Sequence, residues 1–286
     1  MRVAHITDLH VEVAPQIAQL LSKRLLGAVN LYLLGRSAHF TRATVEALVD
    51  AVVRAEPDVV VCTGDLTSTA TPQEFALAAA LLAPITERFP FIVIPGNHDV
   101  YTGESSGRFQ AYFGEWSNNG AHPWARAFPG VEFVAVDVSR PDTLSRGFTP
   151  KAQLSALDSL LHGGDTPVVV LVHYPLRNRR GEPYGPFTRN LENAADLERV
   201  LARHPRVVAV LHGHEHHGYR TTIPRDGAPI VSLNPGASGY AFLPERRRTA
   251  HFNLYDIQGA SVGVERFAYD GASFSPEVGG AYTSGG

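Results

Sequence analysis

The sequence predicts an α/β fold: a four-layer α/β/β/α sandwich, two stacked mixed sheets flanked by helices. Three observations lead there. Short apolar runs rich in β-branched residues recur along the chain, as strands covered on both faces do. Helical patterns lie between several of them, which implies parallel pairing. The last third is strand-like with only turns between segments, and reads as a second, mainly antiparallel sheet.

Residues 3–6 form the first expected strand. Residues 41–55 put Val45, Leu48, Val49, Val52 and Val53 on one helical face. A strand at 59–62 follows. Thr71-Pro72-Gln73-Glu74 has the form of a helix start, with Thr71 as N-cap and Glu74 closing a capping box. Strands are expected at 91–94, 131–136, 168–172 and 207–211. Thr149-Pro150 repeats the first half of the start signal before Leu154, Leu157 and Leu161, and 191–202 is a further helix. The antiparallel strands are 219–223, 230–233, 251–257 and 261–267. Residues 101–130 and 174–190 read as long connections, which often carry function. One domain over 1–274 is expected, with a helical insertion at about 11–40 and a flexible Gly- and Ser-rich tail at 275–286.

The chain has 286 residues, 44% of them hydrophobic and 19% charged, enough for a full core and too apolar for wholesale disorder. Its net charge of −3 argues against a nucleic-acid partner. Cys62 is the single cysteine, so no internal disulfide framework exists. The first ten residues lack the basic-then-apolar pattern of a secretory signal, and no apolar run reaches the length of a spanning helix. A cytoplasmic location is the expectation.

Five polar motifs lie at or just past the ends of the strand-like runs. They are Asp8-Leu9-His10, Gly64-Asp65, Gly96-Asn97-His98-Asp99, His173, and Gly213-His214-Glu215-His216. In open α/β sheets ligands bind beyond the carboxyl ends of parallel strands, so these segments are placed to meet on one rim. The donors are nitrogen and oxygen without thiolate, which suits Zn, Fe or Mn. Taken singly, Asp8 and His10 read rather as turn residues and His173 as a satisfied structural histidine; only the ensemble favours ligation. His212 and His217, which flank the last motif, are not assigned as ligands.

These blocks, in this order, resemble the calcineurin-like metallophosphoesterase family, over roughly residues 3–216. The resemblance implies two divalent metal ions: Asp8, His10 and His216 on the first, Asn97, His173 and His214 on the second, Asp65 bridging both. It implies hydrolysis of a phosphodiester or pyrophosphate P–O bond by a metal-activated hydroxide. His98 would stabilise charge on the scissile phosphate, with Asp99 holding its imidazole. Gly64, Gly96 and Gly213 would allow tight turns that aim the next side chain. Arg177, Arg179 and Arg180 are candidate substrate-binding residues.

The insertion narrows the choice of substrate. Ile17, Leu20, Leu21 and Leu25 follow helical spacing, and residues 28–34 are apolar nearly all round. A helix packed on the core or in a homodimer is one reading. The other is a lid for a lipid-linked substrate, or a peripheral membrane contact through 17–34 on the cytoplasmic face. UDP-2,3-diacylglucosamine hydrolases of this superfamily act on such a lipid-linked pyrophosphate, although they often have Arg where this chain has His98. The alternatives are a cyclic-nucleotide phosphodiesterase of the same family and a non-catalytic metal-binding scaffold.

Overall fold

A computed structural model describes residues 1–13, 39–142 and 144–277. The chain runs β1 (Arg2–Ile6), α1 (Arg42–Ala55), β2 (Val59–Cys62), α2 (Pro72–Thr86), β3 (Phe91–Val93) and α3 (Ser105–Phe113). It continues β4 (Trp124–Phe128), β5 (Val131–Ala135), α4 (Lys151–Leu161), β6 (Val168–Leu171), α5 (Ala194–Ala202) and β7 (Val207–Leu211). Five strands close it: β8 (Tyr219–Ile223), β9 (Ile230–Asn234), β10 (His251–Gln258), β11 (Ser261–Tyr269) and β12 (Phe274–Pro276).

The strands form two six-stranded mixed sheets, ordered β12-β11-β10-β1-β2-β3 and β4-β5-β6-β7-β9-β8. Strands β1, β2 and β3 are parallel, as are β5, β6, β7 and β9. The final strands do not make a sheet of their own, as the sequence suggested. Strands β8 and β9 complete the second sheet, while β10 crosses back to pair antiparallel with β1. Ser275 and Pro276, expected in the tail, belong to β12 and pair with β11.

Period-two alternation lets the central strands bury both faces. In β2, Val59 and Val61 face the core between the sheets, which includes Ile92, Phe133, Val169 and Leu211. Val60 and Cys62 face the opposite core, under Leu48, Val52, Phe75 and Leu82 of the first helices. A third core packs Leu157, Leu161, Leu197 and Leu201 of α4 and α5 on the second sheet. Cys62 is a buried free thiol, and burial pushes its pKa up.

Of the three helix starts expected at Thr41, Thr71 and Thr149, two are capped by side chains. Thr41 caps α1 through Thr44 N, and Thr71 and Glu74 form the full capping box of α2. At α4 the cap fails: no side chain bonds the helix start, and the Thr149 hydroxyl is buried without a partner. Asn193 instead clamps the Thr149 backbone, accepting from its N at 2.9 Å and donating to its O at 2.8 Å. Within 101–130, read as a connection, lie α3 and β4.

Most of the insertion, including the apolar stretch 17–34, lies outside the described residues. Its two ends do not: Val11 bridges Thr67, and Phe40 bridges Tyr240. Among the described residues, no helix is long and apolar enough to cross a membrane.

Candidate metal centre

The five motifs converge at the carboxyl ends of parallel strands from both sheets. Asp8 and His10 follow β1, Asp65 follows β2, and Asn97 and His98 follow β3. His173 follows β6 from the other sheet, and His214 and His216 follow β7. One set of donor atoms, on Asp8, His10, Asp65 and His216, lies within 4.8 Å of one another. A second, on Asp65, His173 and His214, does likewise, so Asp65 belongs to both. Asn97 completes the second set: its Oδ1 is 3.1 Å from His173 Nε2 and 2.8 Å from His214 Nδ1. In the first set His10 Nε2 is 3.0 Å from His216 Nε2 and 3.7 Å from Asp65 Oδ2. All seven residues expected as ligands are brought together.

The backbone at these residues is unusual. Asp8, His10, Asp65, His214 and His216 all have positive φ, between +46° and +72°. Non-glycine residues seldom adopt this conformation, and it collects where the surrounding structure over-determines it. It lets the chain leave a strand and turn alternate side chains into one pocket. The three glycines serve two purposes. Gly64 has φ +101° and makes a turn. At Gly96 and Gly213 the requirement is close approach: a Cβ would run into Asp65 at the first, and into the Thr7 hydroxyl and the Asp8 carboxylate at the second.

Hydrogen bonds fix several tautomers, since a carbonyl oxygen only accepts. His173 donates Nδ1–H to Thr63 O at 2.7 Å and presents Nε2 inward. His214 donates Nε2–H to Arg189 O at 2.9 Å and presents Nδ1. His98 donates Nδ1–H to Ser68 O at 2.7 Å, which leaves Nε2 free; its ring lies edge-on to His10 at 4.7 Å.

The expected Asp99–His98 contact is not made. Asp99 accepts from the backbone N–H groups of Leu66, Thr67 and Gly96 and from the Thr67 hydroxyl. It braces the two turns that carry Asp65 and Asn97, and Ser68 O takes the role foreseen for it. Sequence inspection missed Ser68, Thr63 and Arg189 because each acts through a carbonyl that any residue could supply.

The electrostatics favour a cation. Asp8 and Asp65 are fully buried, and among the described residues neither is paired with Lys or Arg. Burial alone would raise the Asp65 carboxyl, but His173, His98 and His10 around it hold it well below the usual carboxylate range. Burial lowers His173, yet Asp65 at 3.3 Å outweighs it and lifts the imidazole to about 9. Burial, then neighbouring histidines, holds His10 and His214 low, in the neutral form a ligand requires. Two buried carboxylates without Lys or Arg partners, set among imidazoles and an amide oxygen, supply the donor types of a divalent transition ion.

The arginines divide. Arg177 is used internally, gripping Glu198 through Nε and Nη2 at 2.7 Å and bonding Gly181 O. Arg179 and Arg180 line a cleft of about 780 Å³ that shares His216 with the metal centre. Arg247, Arg248 and Arg266 line the same cleft. The first two belong to the arginine run at 246–248, which the sequence suggests is only a solvated turn.

Two donor sets sharing one buried carboxylate, on the rim of an α/β/β/α sandwich, define a candidate dinuclear hydrolase centre. The calcineurin-like phosphoesterase family model matches residues 1–218, and the chain belongs to that family. It is a metallophosphoesterase. It is 23% identical over 220 residues to a Ruthia magnifica protein titled "Probable cyclic nucleotide phosphodiesterase", covering 76% of this chain and 85% of that one. It is 27% identical over 172 residues to the glycerophosphodiester phosphodiesterase GpdQ of Enterobacter lignolyticus, covering 57% and 58%. With the Escherichia coli K12 3',5'-cyclic adenosine monophosphate phosphodiesterase CpdA it shares 32% identity over 173 residues, covering 56% and 55%. A dimetal phosphatase from Danio rerio has the same fold, with a TM-score of 0.64 at 16% identity over 99% of both chains.

Proposed function

We propose that the protein is a dinuclear phosphodiesterase acting on a small, soluble phosphodiester or diphosphate. The observation that carries this reading is Asp65, whose carboxylate is shared by the two donor sets. Asp8, His10 and His216 would hold one divalent ion, and Asn97, His173 and His214 the other. When bound, the pair supplies Lewis acidity to the phosphoryl group and to the attacking water.

The chain's own residues do the rest. His98, its Nδ1–H held by Ser68 O, presents Nε2 outward, and in the imidazolium form that nitrogen would donate to a phosphoryl oxygen or to the leaving oxygen. Its backbone N–H donates to Asp65 Oδ1 at 2.8 Å, which ties its position to the shared carboxylate. Asp99 keeps the two supporting turns in register. Similarity to proteins named cyclic nucleotide and glycerophosphodiester phosphodiesterases favours a small diester. A lipid-linked substrate, a membrane contact and a homodimer draw no support from the described residues.

The test is hydrolysis of bis(p-nitrophenyl) phosphate by manganese-loaded protein. Turnover that chelation abolishes and manganese restores is expected. Turnover that survives metal stripping in Asp65→Ala would overturn the reading, and no turnover by the loaded wild type would favour the scaffold alternative.

A further inference from the structure

We propose that the cleft opening from His216 is a subsite for a second anionic group, so that the preferred substrate carries a further phosphate outside the scissile bond. This rests on the phosphodiesterase reading and refines it.

Three separate segments send arginines into the cleft: Arg179 and Arg180 from the loop after β6, Arg247 and Arg248 from the turn before β10, and Arg266 from β11. Three glutamates also line it, and each is held by a neighbour in the cleft wall. Glu277 accepts from Arg266 at 2.9 Å, Glu182 from Asn178 Nδ2 at 3.0 Å, and Glu215 from the Tyr184 hydroxyl. Arg248 lies over the Tyr240 ring at 5.8 Å. Arg179, Arg180 and Arg247 are left exposed with no ion-pair partner among the described residues. Such a concentration of unpaired guanidinium groups is unexpected in a chain of net charge −3.

The occupant follows from the chemistry of the walls. A guanidinium fork matches two phosphate oxygens at once. The tyrosines in the wall offer little stacking surface, because Tyr184, Tyr219 and Tyr240 are all buried and Arg248 lies over the Tyr240 ring. An acyl chain would find charge where it needs apolar contact. A volume of about 780 Å³ leaves room beyond a single phosphate. With His216 as a common wall, a substrate reaches both sites at once: one phosphate at the metal centre, the second among the arginines.

The test uses manganese-loaded protein and two probes that differ by one phosphate, adenosine 3',5'-bisphosphate and adenosine 5'-monophosphate, titrated calorimetrically. Wild type should bind the bisphosphate about tenfold more tightly, the worth of one charge-assisted contact. In Arg179→Ala/Arg247→Ala that ratio should fall toward one, and Arg179→Lys/Arg247→Lys should restore part of it. Both residues are exposed, and matching thermal melts verify that the variants fold. A wild-type ratio of one, or an unchanged ratio in the alanine pair, overturns the subsite. If wild type still hydrolyses bis(p-nitrophenyl) phosphate, only the subsite falls; if it does not, the phosphodiesterase reading falls as well.

Discussion

The two halves of the metal centre are built to the same donor plan but held by different forces. His173 and His214 each spend their outward nitrogen on a main-chain carbonyl, of Thr63 and Arg189. Among the described residues His10 and His216 make no such bond; their rings pack on Phe40, with centroids 4.4 and 5.4 Å away. A carbonyl bond fixes both tautomer and ring orientation, whereas aromatic packing restrains the ring alone. His216 is also the more open ligand, its side chain 19% exposed beside the arginine cleft. Tight binding is therefore expected in the second half, and easier exchange in the first, on the side of the arginine cleft.

The largest effect comes from removing what the halves share. Asp65→Ala should lower hydrolysis of an aryl phosphodiester by at least about 10³-fold, more than the loss of one electrostatic stabiliser usually costs. Retention of a tenth of the activity would break the two-half description. Single ligands should then separate the halves. His216→Ala should keep one tightly bound manganese per chain, and His214→Ala should keep only the weaker one, by elemental analysis after dialysis. Equal retention in both would show that the halves do not differ. Phe40→Ala is the finer probe. It should weaken the first ion about tenfold and leave the second unchanged, as lost support behind a ligand usually does. A two-step manganese titration reads this directly, and a shift in both steps would contradict it.

The smallest effect separates the fold from the centre. Burial lowers His122 from 6.5 to about 4 and His251 to about 3. Both stay neutral when folded and take up protons near 6.5 once unfolded. The unfolded chain thus binds more protons below that value, so this contribution to stability, intact above about 6.5, is lost as pH falls toward 4. His122→Gln should flatten the fall in denaturation midpoint between pH 7 and pH 5, with metal occupancy unaltered. Parallel curves would show that His122 takes no part.

Much of this was legible in the sequence where a side chain carries the information. The seven residues that converge at the candidate centre, the α2 capping box and the alternation of strands and helices depend on residue type, and residue type is what a sequence displays. What escaped reading lies in the backbone or in tertiary packing. The carbonyls of Thr63, Ser68 and Arg189 orient three histidines and leave no trace in side-chain identity. The α3 segment, with three residues from Ser and Gly, has weak helix propensity and is held by burial of Phe109 and Phe113 against Phe75. The pairing of β10 with β1 closes across more than two hundred residues, beyond any local pattern. Asp99 differs from the expectation: its neighbour in sequence is His98, but its partners in space are three backbone amides and the Thr67 hydroxyl.

The central claim is that one carboxylate joins two metal half-sites. Counting bound manganese in wild type and Asp65→Ala, by calorimetric titration with elemental analysis, tests it most directly. Two equivalents in the wild type, and loss of tight binding at both positions in the variant, are the predicted result. A variant that still binds two ions, or a wild type that binds only one, would contradict it.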